Sequence, residues 1–317
     1  MIAPEAVARF RADFHALGEW GAPVHVAVSG GADSLALLLL AHAAFPGHVH
    51  AATVDHGLRP ESALEAVRVA DVCAALGVPH ATLAPVWDAK PNANIQAEAR
   101  AGRYEALRAW AALGGKRWVA SAHHLDDQAE TLLMRLARGA GVAGLAGVRP
   151  VNEMALPGGP LALLRPLLGW RKAELVALVG ATPFKPAEDS SNDDPRFDRT
   201  QARRLLAETA WLEPERIAAS AAHLAECETA LDWAARQVPV SYGDDSAEVD
   251  AAALPAEFQR RILVQMIQTL AGGAPPPGPK VARLLAELNA GRSGMLADWI
   301  VRPGSLWRFE RAPPRKS

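Results

Sequence analysis

Four times between residues 24 and 141 a short, β-branched apolar run gives way to a longer stretch of helical character. The runs are VHVAVSG (24–30), HVHAATVDHG (48–57), PHATLAPV (79–86) and RWVASAHH (117–124). The stretches that follow are DSLALLLLAHAA, SALEAVRVADVCAALG, NIQAEARAGRYEALRAWAALGG and LDDQAETLLMRLARGAG. Strand and helix in strict alternation predict an α/β fold, a parallel sheet with helices on both faces. Such sheets bind ligands beyond the C-terminal ends of their strands. Three polar clusters fall at those ends: SGGADS, VDHG and AHHLDDQAET.

The first cluster is the most constrained. Gly30 and Gly31 let backbone N–H groups approach an anion with no Cβ in the way. A helix beginning directly afterwards adds the positive end of its dipole. Ser29 and Ser34 supply hydroxyls for phosphate oxygens, and the Ala32 amide lies between them. Asp33 is out of place against a phosphate unless a cation stands between, so the stretch points to a polyphosphate with Mg²⁺. Neither GxxxxGK[ST] nor GxGxxG is present. A plain strand-to-helix turn, capped by Ser29 or Asp33, is the structural alternative.

The other clusters carry their own alternatives. Asp55 and His56 end the second strand, where Gly57 and Pro60 also punctuate a turn. Gln96, Glu98, Arg100, Arg103 and Tyr104 share one helix start, which also fits a solvated charged face. In AHHLDDQAET, helical spacing puts Asp127 and Glu130 on one face, suited to Mg²⁺, to an ammonium group or to the helix dipole. His123 and His124 precede them, with no cysteine or third histidine nearby to make a zinc site. Further along, EDSSNDDPRFDRTQARRLL (188–206) holds Asp189, Ser191, Asn192 and Arg196, then Arg199 and Arg203 four residues apart. A helix aims the last two at one anion.

Composition limits what else the chain does. Its 317 residues suggest one large domain or two ordinary ones, and half are hydrophobic. Cys73 and Cys227 are far apart and form no CxxC, so both read as ordinary buried thiols. No targeting or membrane-spanning segment is evident, which predicts a soluble, cytoplasmic protein. Residues 205–254 carry ten acidic and two basic side chains, whereas residues 255–317 carry four acidic and ten basic. That shift, with helical patterns after residue 205, predicts a catalytic domain over 1–205 and a smaller, mainly helical domain over 206–317. GGAPPPGP (272–279) reads as a stiff connector, and the tail after it as strand-like. There Trp299, Trp307 and Phe309 interleave with Arg302, Arg308 and Arg311, which suits either a grip on unstacked RNA or a small apolar core with a basic rim.

SGGADS resembles the SGGxDS signature of the PP-loop ATP pyrophosphatases, adenine nucleotide α hydrolase-like enzymes that cleave ATP between its α and β phosphates. Taken with VDHGLRPES, QAEAR, HHLDDQAET, RGAG, RPLL and D-x-SN…R, in that order over about residues 24–204, the chain is similar to the tRNA(Ile)-lysidine synthetase family. One position departs: Thr200 stands where the family usually has Asn in Arg-Asn-x-x-Arg.

The resemblance implies a ligase that uses ATP and L-lysine to convert the wobble cytidine of the CAU-anticodon isoleucine tRNA into lysidine. It implies ATP binding by Ser29, Gly30, Gly31, Ala32, Asp33, Ser34 and Asp55, with Mg²⁺ on Asp33. Asp127 and Glu130 would hold the lysine. Arg103, Arg199 and Arg203 would meet tRNA or phosphate, and the 206–317 domain, with its basic C-terminal end, would bind the tRNA. Asp33, His123, Asp127 and Arg203 would form the catalytic set, with the base for the lysine amine left open among His123, His124 and Asp127. A 2-thiolation enzyme of the same superfamily and a non-catalytic tRNA-binding protein are the rival readings. Monomer and homodimer are equally open.

Overall fold

The computed structural model describes residues 2–57, 60–85, 95–187, 198–243, 245–272 and 275–313. They form two compact units, Met1–Ala225 and Glu226–Ser317. The division falls within a long helix, later than the expected change at residue 205.

In the first unit all four expected strands are present: β1 (Val24–Ala27), β2 (Val49–Val54), β3 (His80–Leu83) and β4 (Trp118–Ala120). They pair in parallel in the order β3-β2-β1-β4. Two further strands, β5 (Val151–Leu156) and β6 (Gly159–Leu164), extend the sheet beyond β4. β6 is parallel to β4, while β5 turns back as an antiparallel edge.

The strand side chains alternate with period two, as a sheet buried on both faces requires. Val24, Val26, Val49, Ala51, Trp118, Ala120 and Leu164 join one core with α1 (Pro4–Ala16), α2 (Ala32–Ala44), α3 (Pro60–Leu76) and α7 (Lys172–Gly180). Ala52, Val119, Leu161 and Leu163 point the other way, onto Tyr104, Leu107 and Ala111 of α4 (Ile95–Leu113). α2 is buried from Ser34 through Ala41, because it is apolar on every side and lies within that core. The remaining helices of this unit are α5 (Leu125–Ala137), α6 (Val142–Leu145) and α8 (Asp198–Glu208), followed by the start of α9 (Pro214–Arg236).

The second unit takes the end of α9, then α10 (Ala256–Ala271), α11 (Gly278–Asn289) and five short strands. These are β7 (Val240–Tyr242), β8 (Ser246–Val249), β9 (Gly294–Leu296), β10 (Trp299–Arg302) and β11 (Trp307–Arg311), an antiparallel sheet ordered β7-β8-β11-β10-β9. α11 starts inside the expected connector, at Gly278. Helices hold more residues than strands, but the sheet extends well beyond the expected strand-like tail.

One open alternative is decided here and one expectation is corrected. Trp299, Trp307 and Phe309 are buried against Ile262, Leu263, Met266 and Leu284, so they form this unit's core and are not free to stack on RNA. The arginines that alternate with them face out and pair with acids: Arg302 with Glu310 at 3.0 Å, Arg308 with Glu248 at 2.8 Å and Arg311 with Asp245 at 3.6 Å. Cys73 is buried in α3, where burial pushes its thiol up to about 11, but Cys227 is exposed.

Arg261 on α10 is 6% exposed and contacts Glu228, Asp232 and Glu257. Truncating one partner strands a buried charge. Arg261→Ala should therefore destabilise this unit by about 3–5 kcal/mol. Urea unfolding followed by tryptophan fluorescence measures it, and an unchanged midpoint would show that the pair contributes nothing.

Candidate active site

Strand order reverses at β1, with β2 on one side and β4 on the other, and a crevice opens beyond their carboxyl ends. A cavity of about 270 Å³ lies there, lined by Ser29, Gly31, Asp33 and Ser34 after β1, Val54 at the end of β2, and Ser121, His123 and Asp127 after β4. Ala52, Leu107 and Leu163 give it an apolar wall; Arg103 and Arg199 add positive charge.

The 29–34 loop is built around one hydroxyl. Ser34 Oγ accepts from the Ser29 and Gly30 N–H groups, each at 3.1 Å, and donates to the Gly31 carbonyl at 3.0 Å. Gly30 sits at φ +93°, a conformation L side chains rarely adopt, and a Cβ there would meet Val69 Cγ2 at 3.3 Å. Gly31 precedes α2 and has no side chain to cap it. The first N–H groups of α2, from Ala32 onward, have no partner within the helix and face the carboxyl ends of the strands.

Asp33 stands in the first turn of α2 with its Oδ1 buried and without a hydrogen-bond partner among the described residues. Its Oδ2 is 3.4 Å from His124 Nε2, which is also 3.7 Å from Asp127 Oδ2; His124 Nδ1 is 3.6 Å from Asp126 Oδ2. Burial alone would lower the His124 pKa, but Asp126, Asp33 and Asp127 outweigh it and raise it to about 9. His124 is therefore an imidazolium at neutral pH. Asp126 also accepts from the Lys172 N–H and from Arg171. Burial opposes its ionisation, but His124, Lys172 and Arg171 hold its carboxyl well below the usual range.

His123 differs from its neighbour. Its Nδ1 lies 3.0 Å from Ser121 Oγ and accepts from Arg165 Nε at 3.4 Å. Burial, and then the Arg165 charge, push its pKa down to about 4. It is neutral, with its Nδ1 lone pair engaged.

Glu130, 2% exposed, takes Arg203 Nε at 2.6 Å and Arg199 Nε at 3.1 Å. Burial raises its pKa against the pull of Arg203. The expected pairing of Glu130 with an ammonium is thus replaced by two guanidiniums of the chain itself, and Glu130 positions those arginines. Asp55 is likewise engaged: it accepts from Gly57 N at 2.9 Å and from Ser62 Oγ at 2.6 Å, closing its own turn. That turn places His56, whose Nε2 accepts from Arg103 Nε at 3.2 Å.

The structure thus brings Ser29, Gly31, Asp33, Ser34, Arg103, His123, Asp127 and Arg199 to one cavity, with Glu130 and Arg203 behind it. Asp55 does not line it. Asp189, Ser191, Asn192 and Arg196 lie outside the described residues, as does the side chain of Gln96. Sequence reasoning assigned no role to Ser121 or Arg165. Arg165 opens the RPLL block of the resemblance, but nothing in that block assigned it a role.

A family model described as PP-loop domain matches residues 9–210. The tRNA(Ile)-lysidine synthase of Novosphingobium aromaticivorans is 46% identical over 98% of this chain and 95% of its own. That of Zymomonas mobilis subsp. mobilis is 43% identical over 92% and 89%. Among solved structures, the U34-tRNA thiolase NcsA of Methanococcus maripaludis is similar with a TM-score of 0.54 and 16% identity, covering 70% of this chain and 80% of that one, a likeness of fold.

The raised His124 pKa has a sign that can be checked. An imidazolium favoured by the fold contributes stability in full below its ordinary value of 6.5, and that contribution is lost as pH rises through about 9. In nucleotide-free, cation-free protein, His124→Asn should be less stable than wild type near pH 6.5. The difference should shrink by pH 10. Denaturant titrations across that range give the result, and a constant gap between the two proteins would refute the charge assignment.

Proposed function

The chain belongs to the tRNA(Ile)-lysidine synthase family, carbon–nitrogen ligases built on an ATP-binding PP-loop domain, and we propose that it makes lysidine from L-lysine in two steps at the cavity beyond β1 and β4. The observation that carries this reading is the orphaned Asp33 Oδ1 beside a glycine loop at the sheet's switch point. In the first step the cytosine C2 oxygen of the CAU-anticodon isoleucine tRNA attacks the α-phosphorus of ATP, and pyrophosphate leaves. In the second the lysine ε-amine attacks C2, and AMP leaves.

The residues divide the work on physical grounds. Ser29, Gly30, Gly31, Ala32 and Ser34 bind the departing pyrophosphate through N–H and hydroxyl groups, where negative charge grows. The apolar wall of Ala52, Leu107 and Leu163 receives the adenine. Asp33 would hold Mg²⁺, since its buried Oδ1 has no hydrogen-bond partner among the described residues. When bound, Mg²⁺ screens the phosphate charge. Arg103, steered by His56, faces the phosphates, and Arg199 and Arg203 are held by Glu130 for the adenylated nucleotide.

Of the three candidate bases, His124 has both ring nitrogens directed at Asp33, Asp126 and Asp127, and His123 has its Nδ1 lone pair engaged. Asp127 remains, a carboxylate at the cavity wall. It receives the ammonium and takes its proton as the amine closes on C2. We place this enzyme in the cytoplasm with its tRNA; among the described residues no helix is long and apolar enough to cross a membrane.

Mass spectrometry of the CAU tRNA after incubation with enzyme, ATP and isotopically labelled lysine tests the reaction. A wobble cytidine carrying the label is expected; pyrophosphate release without lysine incorporation would instead favour another modification, and no release a mere binder. Asp33→Asn should lower adenylation at least about 100-fold, the scale of removing one electrostatic stabiliser of a transition state, while tRNA affinity holds. Near-normal turnover in that variant would remove Asp33 from the phosphate site. Asp127→Asn should retain pyrophosphate release but lose lysine transfer, and equal loss of both would move Asp127 to the first step.

A further inference from the structure

Behind the nucleotide cavity lies a second one, of about 370 Å³, which shares His123 and Arg199 with the first. Six arginines line it: Arg100, Arg135, Arg138, Arg149, Arg165 and Arg199; no acidic residue does. Arg138 pairs with Asp198, and Arg199 with Glu130. The other four have no carboxylate within ion-pair distance among the described residues. Their contacts are neutral: Arg135 Nη1 donates to the Gly144 and Gly147 carbonyls, Arg149 Nη1 to the Ala225 carbonyl, and Arg165 Nη1 to the Arg149 carbonyl, while Arg100 lies 5.0 Å from the centre of the Tyr104 ring.

Four guanidiniums so close together repel one another. Burial first, and Arg100 beside it, pull Arg165 down to about 10. An arrangement of this kind is stabilised by an anion from outside the chain. A single carboxylate, such as that of free lysine, would leave most of this charge unanswered, whereas successive phosphates of a polynucleotide would answer it. Guanidiniums are also suited to bidentate contact with phosphate oxygens. Met134 and Val148 add an apolar flank.

We propose that this second cavity is the RNA backbone anchor, binding the phosphodiesters on either side of the nucleotide whose base enters the first cavity. The assignment rests on the lysidine-forming reading for the identity of the RNA. It explains why the two cavities meet at His123 and Arg199: a base and its own phosphates lie within one nucleotide of each other. Arg149 and Arg100 are the residues to test, because Arg100 is exposed and Arg149 is half-buried, whereas Arg165 is a buried support of the backbone.

The experiment measures binding of an isoleucine tRNA transcript with a CAU anticodon to the full chain across a series of salt concentrations. For Arg100→Gln/Arg149→Gln the affinity should fall about tenfold or more. The slope of log affinity against log salt should become shallower by about 0.7–0.9 for each phosphate that is no longer neutralised. ATP binding should stay at the wild-type value and the thermal midpoint should not fall. Arg100→Lys/Arg149→Lys should recover most of the slope, which a structural role alone would not do.

An unchanged slope and affinity in the glutamine variant would overturn the proposal. So would a raised KM for lysine with tRNA binding intact, which would make the cavity a carboxylate site. If the slope falls as expected while wild-type enzyme attaches no lysine, the anchor stands and the lysidine reading fails.

Discussion

A polypeptide can pass from the middle of a buried sheet into a buried helix only if the amides at the junction find acceptors. At the end of β1 the chain answers with one serine hydroxyl, which takes two amides and returns its proton to the Gly31 carbonyl. The first amides of α2 are left over, at the point where strand order reverses. α2 is buried in core from Ser34 through Ala41, so the loop is anchored from below by packed helix. A rigid row of donors is what a departing anion requires, since donors that must reorganise during reaction stabilise less. The depth of the apolar core and the readiness of the phosphate site thus have one origin.

The electrostatics follow from the same crowding. Asp33, Asp126 and Asp127 approach a single imidazole ring, and the ring stays charged because of them. Its charge holds the three acids together on one ring. One residue earlier in the chain, His123 is surrounded by an arginine and a hydroxyl and stays neutral. Two adjacent histidines thus differ in charge, one neutral and one positive, because β4 ends between two unlike neighbourhoods.

Much of this was legible in the residues. The four-fold alternation places β1 to β4 correctly, because short β-branched runs and long amphipathic stretches have different periods, and the polar clusters at the strand ends converge as the topology demands. The β5–β6 hairpin was not read, although PGG between two apolar runs is a turn signal, because an edge strand breaks the alternation. A carboxylate in a motif says nothing of which donor reaches it first: Ser62 comes to Asp55 from the end of the same motif, and Arg199 and Arg203 come to Glu130 from α8. Trp299, Trp307 and Phe309 alternate with charged residues, a pattern that fits a half-buried strand and an RNA-facing ribbon equally well. Only the existence of α10 and α11 over one face decides between them.

The two arginines on Glu130 have a consequence for the way α8 is attached to the rest of its unit. A buried carboxylate stripped of its guanidiniums is costly, so the pairing at Glu130 docks α8 on α5 and fixes where Arg199 and Arg203 stand.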